Sequence, residues 1–210
     1  VILALDTSGS ELLVVLLDAE CRLVRGLSGE GGRHQERVMT MVDDLVAAAG
    51  GPGSLTAVAV SRGPGSQTGL RVGLATVEGI AFGRRLPIIP VPSLAVAAHR
   101  GSADGELLAA VTAGRSNVYV QRFTVDGDSR APMGDRVRCA LAELPVRLQV
   151  APGTPIAAEA SVLAAAIAAG QGAVTSPVDG PEALAAAVRQ ALKGAAAVAY
   201  DGLSGDYGDS

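Results

Sequence analysis

VAVSRGPGSQTGLRVGLATVEGIAF, residues 58–82, decides the reading of this chain. Val58 to Val60 is a short apolar run of the kind a buried strand shows. Ser61 to Gln67 follows as a tight loop with two glycines and a proline. The spacing then predicts a helix over about Thr68 to Gly83 with almost no polar face. Its two charges, Arg71 and Glu78, stand seven residues apart and fall roughly 20° from each other on one side. Leu70, Leu74, Val77 and Ala81 make one apolar stripe. Gly69, Gly73, Thr76, Ile80 and Gly83 make a second, mostly of small residues. A helix apolar nearly all round must be covered on most sides. Either it is a central core helix, or one face lies on its own sheet and the other meets a second protein.

Outward from this stretch, elements alternate. Val1 to Leu5, Glu11 to Leu17 and Cys21 to Leu27 read as three strands of an antiparallel meander. Ser28 to Gly32 reads as flexible. Val38, Met41, Val42, Leu45, Val46 and Ala49 then mark one apolar helix face, in a helix from about Arg33 to Ala49. Strands at Leu55 to Ser61 and Pro87 to Val91 flank the central helix, and Ser93 is expected to cap a short helix to His99. A meander followed by two crossovers predicts a mixed sheet covered by helices. The polar run Arg100 to Glu106 predicts a boundary, giving units 1–102 and 103–210. In the second unit, Leu107 to Ala113 and Val118 to Thr124 read as paired strands. Ser161 to Ala169 and Glu182 to Lys193 read as helices, whereas Asp128 to Val150 gives no clear element. The acidic, glycine-rich tail, about 202–210, has too little apolar content to pack.

Composition narrows the function classes. Hydrophobic residues make up 49% of the 210, enough for a sizeable core, but aromatics are only 2%. That scarcity, with a net charge of −4, argues against a chain that stacks bases or neutralises phosphates by itself. Cys21 and Cys139 are far apart and read as reduced structural thiols. No apolar run reaches 18 residues and the first residues lack a basic leader, which predicts neither a membrane span nor a signal peptide.

Motifs for chemistry are sparse. Asp6-Thr7-Ser8 ends the first strand, where an acid, hydroxyls and backbone amides can hold a phosphate or a metal-bound phosphate. No Walker sequence accompanies it. His34 and His99 lack partners at metal-ligand spacing, so no metal ligand set is read, and His99 suits the C-terminal dipole of its helix. Gly63-Pro64-Gly65-Ser66-Gln67 does not form G-x-S-x-G, and no catalytic residue is assigned.

ILALDTS near the start, His34 opening the first helix, SRGPGSQTGLRVGLATVEGIAFG and the later PIIPVPSLA together resemble the TsaB (YeaZ) family. The likeness covers about residues 1–100 strongly. Beyond that, Ala113 to Tyr119 resembles the family's D-A-R-x-x-E-V-Y hairpin, with Asn117 in place of its acid. Gln67 stands where an aromatic is common. The resemblance implies an α/β, actin-like ATPase (ribonuclease H-like) fold of two related halves, each a mixed sheet flanked by helices. It implies a non-catalytic, cytoplasmic subunit in making the threonylcarbamoyl modification of the adenosine beside the anticodon of tRNA. The partners implied are a TsaD-like homologue, a TsaE-like ATPase and, when alone, a second copy of the chain. Contact with tRNA would be indirect, through the complex. No cofactor is implied for the isolated chain, with ATP or ADP a candidate at the interface of the complex and Asp6, Thr7 and Ser8 a vestigial phosphate loop. The expected interface set is Met39, Gly69, Gly73, Thr76, Val77 and Ile80, with Leu70 and Leu74 turned to the sheet. Two alternatives use the same superfold: an ATP-dependent small-molecule kinase or ATPase with Asp6 directing magnesium, and an M22-type glycoprotease homologue.

Overall fold

A computed structural model of the protein describes residues 1–30, 34–102, 104–114, 117–143, 154–168 and 178–194. Strands β1 (Ile2–Asp6), β2 (Glu11–Leu17) and β3 (Leu23–Glu30) form the meander. Helix α1 (His34–Ala48), a 3-10 turn at Pro52–Ser54, strand β4 (Ala57–Ser61), helix α2 (Gln67–Arg84) and strand β5 (Ile88–Val91) follow. They complete a five-stranded sheet of order β3-β2-β1-β4-β5, in which β4 runs parallel to both β1 and β5. All five residues of β1 are buried, as expected of a central strand covered on both faces. Leu3, Leu5, Leu12, Val14 and Leu16 point to the face covered by α1 and α2. Their neighbours Ile2, Ala4, Leu13, Val15 and Leu17 point to the opposite face, the two-residue period of extended chain.

Helix α3 (Ser93–His99) leads into the second sheet, built from β6 (Gly105–Thr112), β7 (Asn117–Asp126), β8 (Ser129–Ala140) and β9 (Ile156–Ala157). Its order, β8-β7-β6-β9, and its antiparallel, antiparallel, parallel pairing repeat those of β3-β2-β1-β4. The two halves are therefore related, as the sequence resemblance implied. Helix α3 covers one face of this sheet through Leu94, Ala97 and Ala98. Helix α4 (Ala160–Ala168) covers the other through Val162, Leu163 and Ala166.

The structure corrects several expectations. Helix α5 (Gly180–Gly194), placed by sequence in the unit 103–210, packs instead on the first sheet, where Leu184, Ala185, Ala187 and Val188 cover its open face. The reason is apolar area: without α5, Leu13, Val15 and Ile89 would be left uncovered, at roughly 1.5–3 kcal/mol for each large side chain. Strand β3 begins at Leu23 rather than Cys21, because Asp18 accepts the backbone N–H groups of Glu20 and Arg22 at 3.0 and 2.9 Å and keeps 18–22 in a turn. It continues through Glu30, where flexible chain was expected. Strand β8 lies where the sequence gave no clear element. Ser93 is the first residue of α3 and makes no side-chain cap; Pro92 precedes the helix. His99 is buried, and burial together with the nearby Arg130 charge lowers its pKa to about 4. It is neutral near pH 7 and cannot serve the helix dipole as a cation. The acidic tail lies outside the described residues.

Candidate functional site

The residues singled out by sequence fall on helices α1 and α2 and at the cleft where β1 ends.

Helix α2 is held at its start by the loop before it. The Ser66 hydroxyl accepts the Gly69 N–H at 3.2 Å, and the Ser66 N–H donates to the Ser8 carbonyl at 2.7 Å. The Gly63–Pro64 peptide is cis. At the far end Arg85 takes a left-handed conformation, with its N–H on the Ala81 and Phe82 carbonyls. Gly69, Leu70, Gly73, Leu74, Val77 and Ala81 are the buried residues of the helix.

That list divides the expected interface set. A Cβ at Gly69 would strike the Thr7 carbonyl, and one at Gly73 would strike the Thr7 hydroxyl. These glycines bring α2 down onto the end of β1 within the same chain and do not face outward. Val77 is fully buried in the core beneath α1 and α2. Thr76 and Ile80 are half-buried, while Met39 on α1 is 46% exposed. The outward small-residue line is Ala75, Gly79 and Gly83, spaced by four. A Cβ at Gly79 or Gly83 meets nothing within 4 Å. Phe82, 66% exposed, stands in the same stretch of helix and was not singled out by sequence. The missed signal was Ala75 and Gly79, each one position before Thr76 and Ile80, which with the already chosen Gly83 make an i, i+4, i+8 line of small residues.

In the cleft, the structure separates the three residues of the expected phosphate loop. Asp6 and Ser8 line it, whereas Thr7 is wholly buried under α2. The Asp6 carboxylate accepts the Ser8 N–H at 2.9 Å and the Ser8 hydroxyl at 2.6 Å. Glu11 accepts Arg100 at 2.6 Å. Glu159, absent from the sequence reading, reaches from the second half to the turn between β1 and β2. A cavity of about 20 Å³ remains, space for one water. The Glu159 carboxylate thus occupies the turn that follows the expected phosphate loop. Among the described residues no three His, Cys, Asp or Glu side chains gather where they could hold a metal. No helix among them is long and apolar enough to cross a membrane.

The family described as TsaD, tRNA N6-adenosine threonylcarbamoyltransferase, matches residues 31–198. The tRNA threonylcarbamoyladenosine biosynthesis protein TsaB of Haemophilus influenzae is 38% identical over 123 residues, 56% of this chain and 51% of that protein. Its Escherichia coli counterpart is 36% identical over 99 residues, 44% of this chain and 42% of that protein. The chain thus spans about half the length of the curated relatives it matches. YeaZ from Pseudomonas aeruginosa superposes with a TM-score of 0.76 at 25% identity, covering 98% of both chains. The activator of 2-hydroxyisocaproyl-CoA dehydratase from Clostridium difficile, solved with ADPNP, shares the actin-like fold at a TM-score of 0.56 and 9% identity, over 91% of this chain and 94% of that one. With a family match across most of its length and TsaB and YeaZ proteins among its relatives, the chain belongs to the TsaD threonylcarbamoyltransferase family, in its TsaB (YeaZ) group.

Proposed function

We propose that the chain is a non-catalytic subunit in tRNA threonylcarbamoyladenosine biosynthesis. It pairs with a TsaD-type subunit through the outer sides of α1 and α2, and a TsaE-type ATPase joins the pair. Alone, the same face meets a second copy of the chain. The reading rests on the relatives' names and on one observation above others. Helix α2 turns Ala75, Gly79 and Gly83 outward, with Phe82 largely exposed beside them and Met39 exposed on the adjacent helix α1. Small residues let a second helix approach closely, and an aromatic beside them supplies the anchor typical of an interface centre. A standard contact of about 800 Å² per partner is within reach of two helix faces. Because Glu159 already engages the amides of the β1–β2 turn, any ATP or ADP is left to a site shared with the partner. Contacts with tRNA fall to the rest of the complex, since this chain is acidic overall. Work in the cytoplasm follows from a tRNA substrate.

Mixing the chain with a TsaD homologue tests the reading. Co-elution on size exclusion and a gain in transferase activity are expected. The variant Phe82→Asp with Gly79→Arg should weaken pairing at least about 30-fold, by analogy with loss of an interface anchor, while leaving the far-UV spectrum unchanged. Undiminished pairing by that variant would place the contact elsewhere.

A further inference from the structure

The turn between β1 and β2 already holds an anion, and the anion is part of the chain. Oε2 of Glu159 accepts the Ser10 N–H at 2.8 Å and the Glu11 N–H at 3.1 Å, while Oε1 accepts the Ser10 N–H at 3.1 Å. Two successive backbone amides converging on one carboxylate form the same kind of donor pair that binds phosphate oxygens elsewhere. Glu159 immediately precedes α4, and its carbonyl accepts the N–H groups of Val162 and Leu163. Its carboxylate, though, crosses to the other half of the molecule instead of capping its own helix.

The surroundings are shaped to that guest. Glu159 is 7% exposed. A Cβ at Gly9 would strike its carboxylate, so the glycine lets the turn approach the carboxylate where it lies. The Ser10 and Ser161 hydroxyls meet at 2.8 Å beside it, a second link between the halves. Ser93, whose hydroxyl is buried without a hydrogen-bond partner among the described residues, lines the same cavity. Of the charged groups there, Arg100 is engaged by Glu11, and Asp6 adds a further negative charge.

We propose that this turn is an anion site permanently filled by Glu159, which takes the place of a nucleotide phosphate and ties the two halves together. A tethered carboxylate held in place by the fold avoids the translational and ordering costs that a free anion must meet to bind. The intact chain therefore binds no polyphosphate in this cleft. Once Glu159 is cut back, Asp6, Glu11 and Arg100 leave the site with a net negative charge. It then favours a small, singly charged oxyanion over a nucleotide. This inference stands whether or not the chain pairs with a TsaD-type subunit.

The test is chemical rescue of Glu159→Ala, for which acetate is the missing fragment. The variant should melt below the wild type. Replacing 200 mM chloride by 200 mM acetate should raise its Tm by about 2–4 °C and leave the wild type unmoved. The near-isosteric Glu159→Gln, which still fills the site, should show no acetate response. Equal Tm values for Glu159→Ala in acetate and chloride would overturn the proposal. Should that variant fail to fold, wild-type protein decides the matter. Titration with pyrophosphate should give no binding heat and should not shift the Ser10 and Glu11 amide resonances. Saturable shifts of those two amides would show the site open, and the proposal would fall.

Discussion

Gly73 and Gly79 lie six residues apart on one helix and face opposite environments. At Gly73 a side chain would run into Thr7, whereas at Gly79 it would enter open space. Gly73→Val should therefore destabilise the fold by about 1–3 kcal/mol through overpacking, seen as a lower urea midpoint. Gly79→Ala should stabilise it by about 0.5–1 kcal/mol, because alanine loses less backbone freedom in a helix. Equal effects at the two sites would contradict this placement of α2. The pair also marks a limit of sequence reading. A small residue signals close approach but does not say whether the approaching group is the chain's own β1 or another molecule. Glu159 was illegible for a related reason: an isolated acid near a helix start carries no sign that its partners lie some 150 residues away.

At the level of elements, periodicity served where one face is buried and failed where both are wet. Helices α1 and α2 and strands β1, β2 and β4 to β7 were placed within a few residues, because each buries a regular apolar set, whereas the mostly wet β3 was placed two to three residues early. Strand β8 escaped because it pairs on one side only, with β7, and most of its residues are exposed. Pro132 and Gly134 further interrupt its pattern. The strand exists through its ladder to β7, which no local signal reports. Helix α5 was visible as a helix, but its docking site was not. Gly26 on the edge strand β3 makes room for Pro181 of α5; a Cβ there would overlap the proline ring. Gly26→Val should push α5 outward and cost about 1–3 kcal/mol. Faster amide exchange along α5 than along α1 is the expected mark, and unchanged exchange would argue against the contact.

Across the whole molecule, the halves are joined by more than the cleft. The Arg130 N–H donates to the Gln190 side chain at 2.9 Å, and the Arg130 carbonyl accepts from it at 2.7 Å. The Arg130 guanidinium donates to the Gly101 carbonyl at 3.1 Å. His99 is buried against this junction as a neutral imidazole, with its pKa lowered to about 4. An unfolded chain would bind that proton near pH 6.5, so between pH 6.5 and about 4 the unfolded state holds more protons. The stabilisation is complete above pH 6.5 and is lost as acid approaches pH 4, up to ~3 kcal/mol in all. His99→Gln should flatten the fall in urea midpoint between pH 7 and 4.5; an unaltered slope would remove His99 from the cause. The repeated sheet order could be inferred from family resemblance alone, since the second half retains few local motifs. The return of α5 to the first sheet has a further consequence, for biosynthesis. A ribosome that has delivered all five strands of that sheet still withholds Leu184 and Val188. Until they emerge, the nascent chain carries a greasy flank that only its final described helix can seal, and chaperones have that interval in which to act.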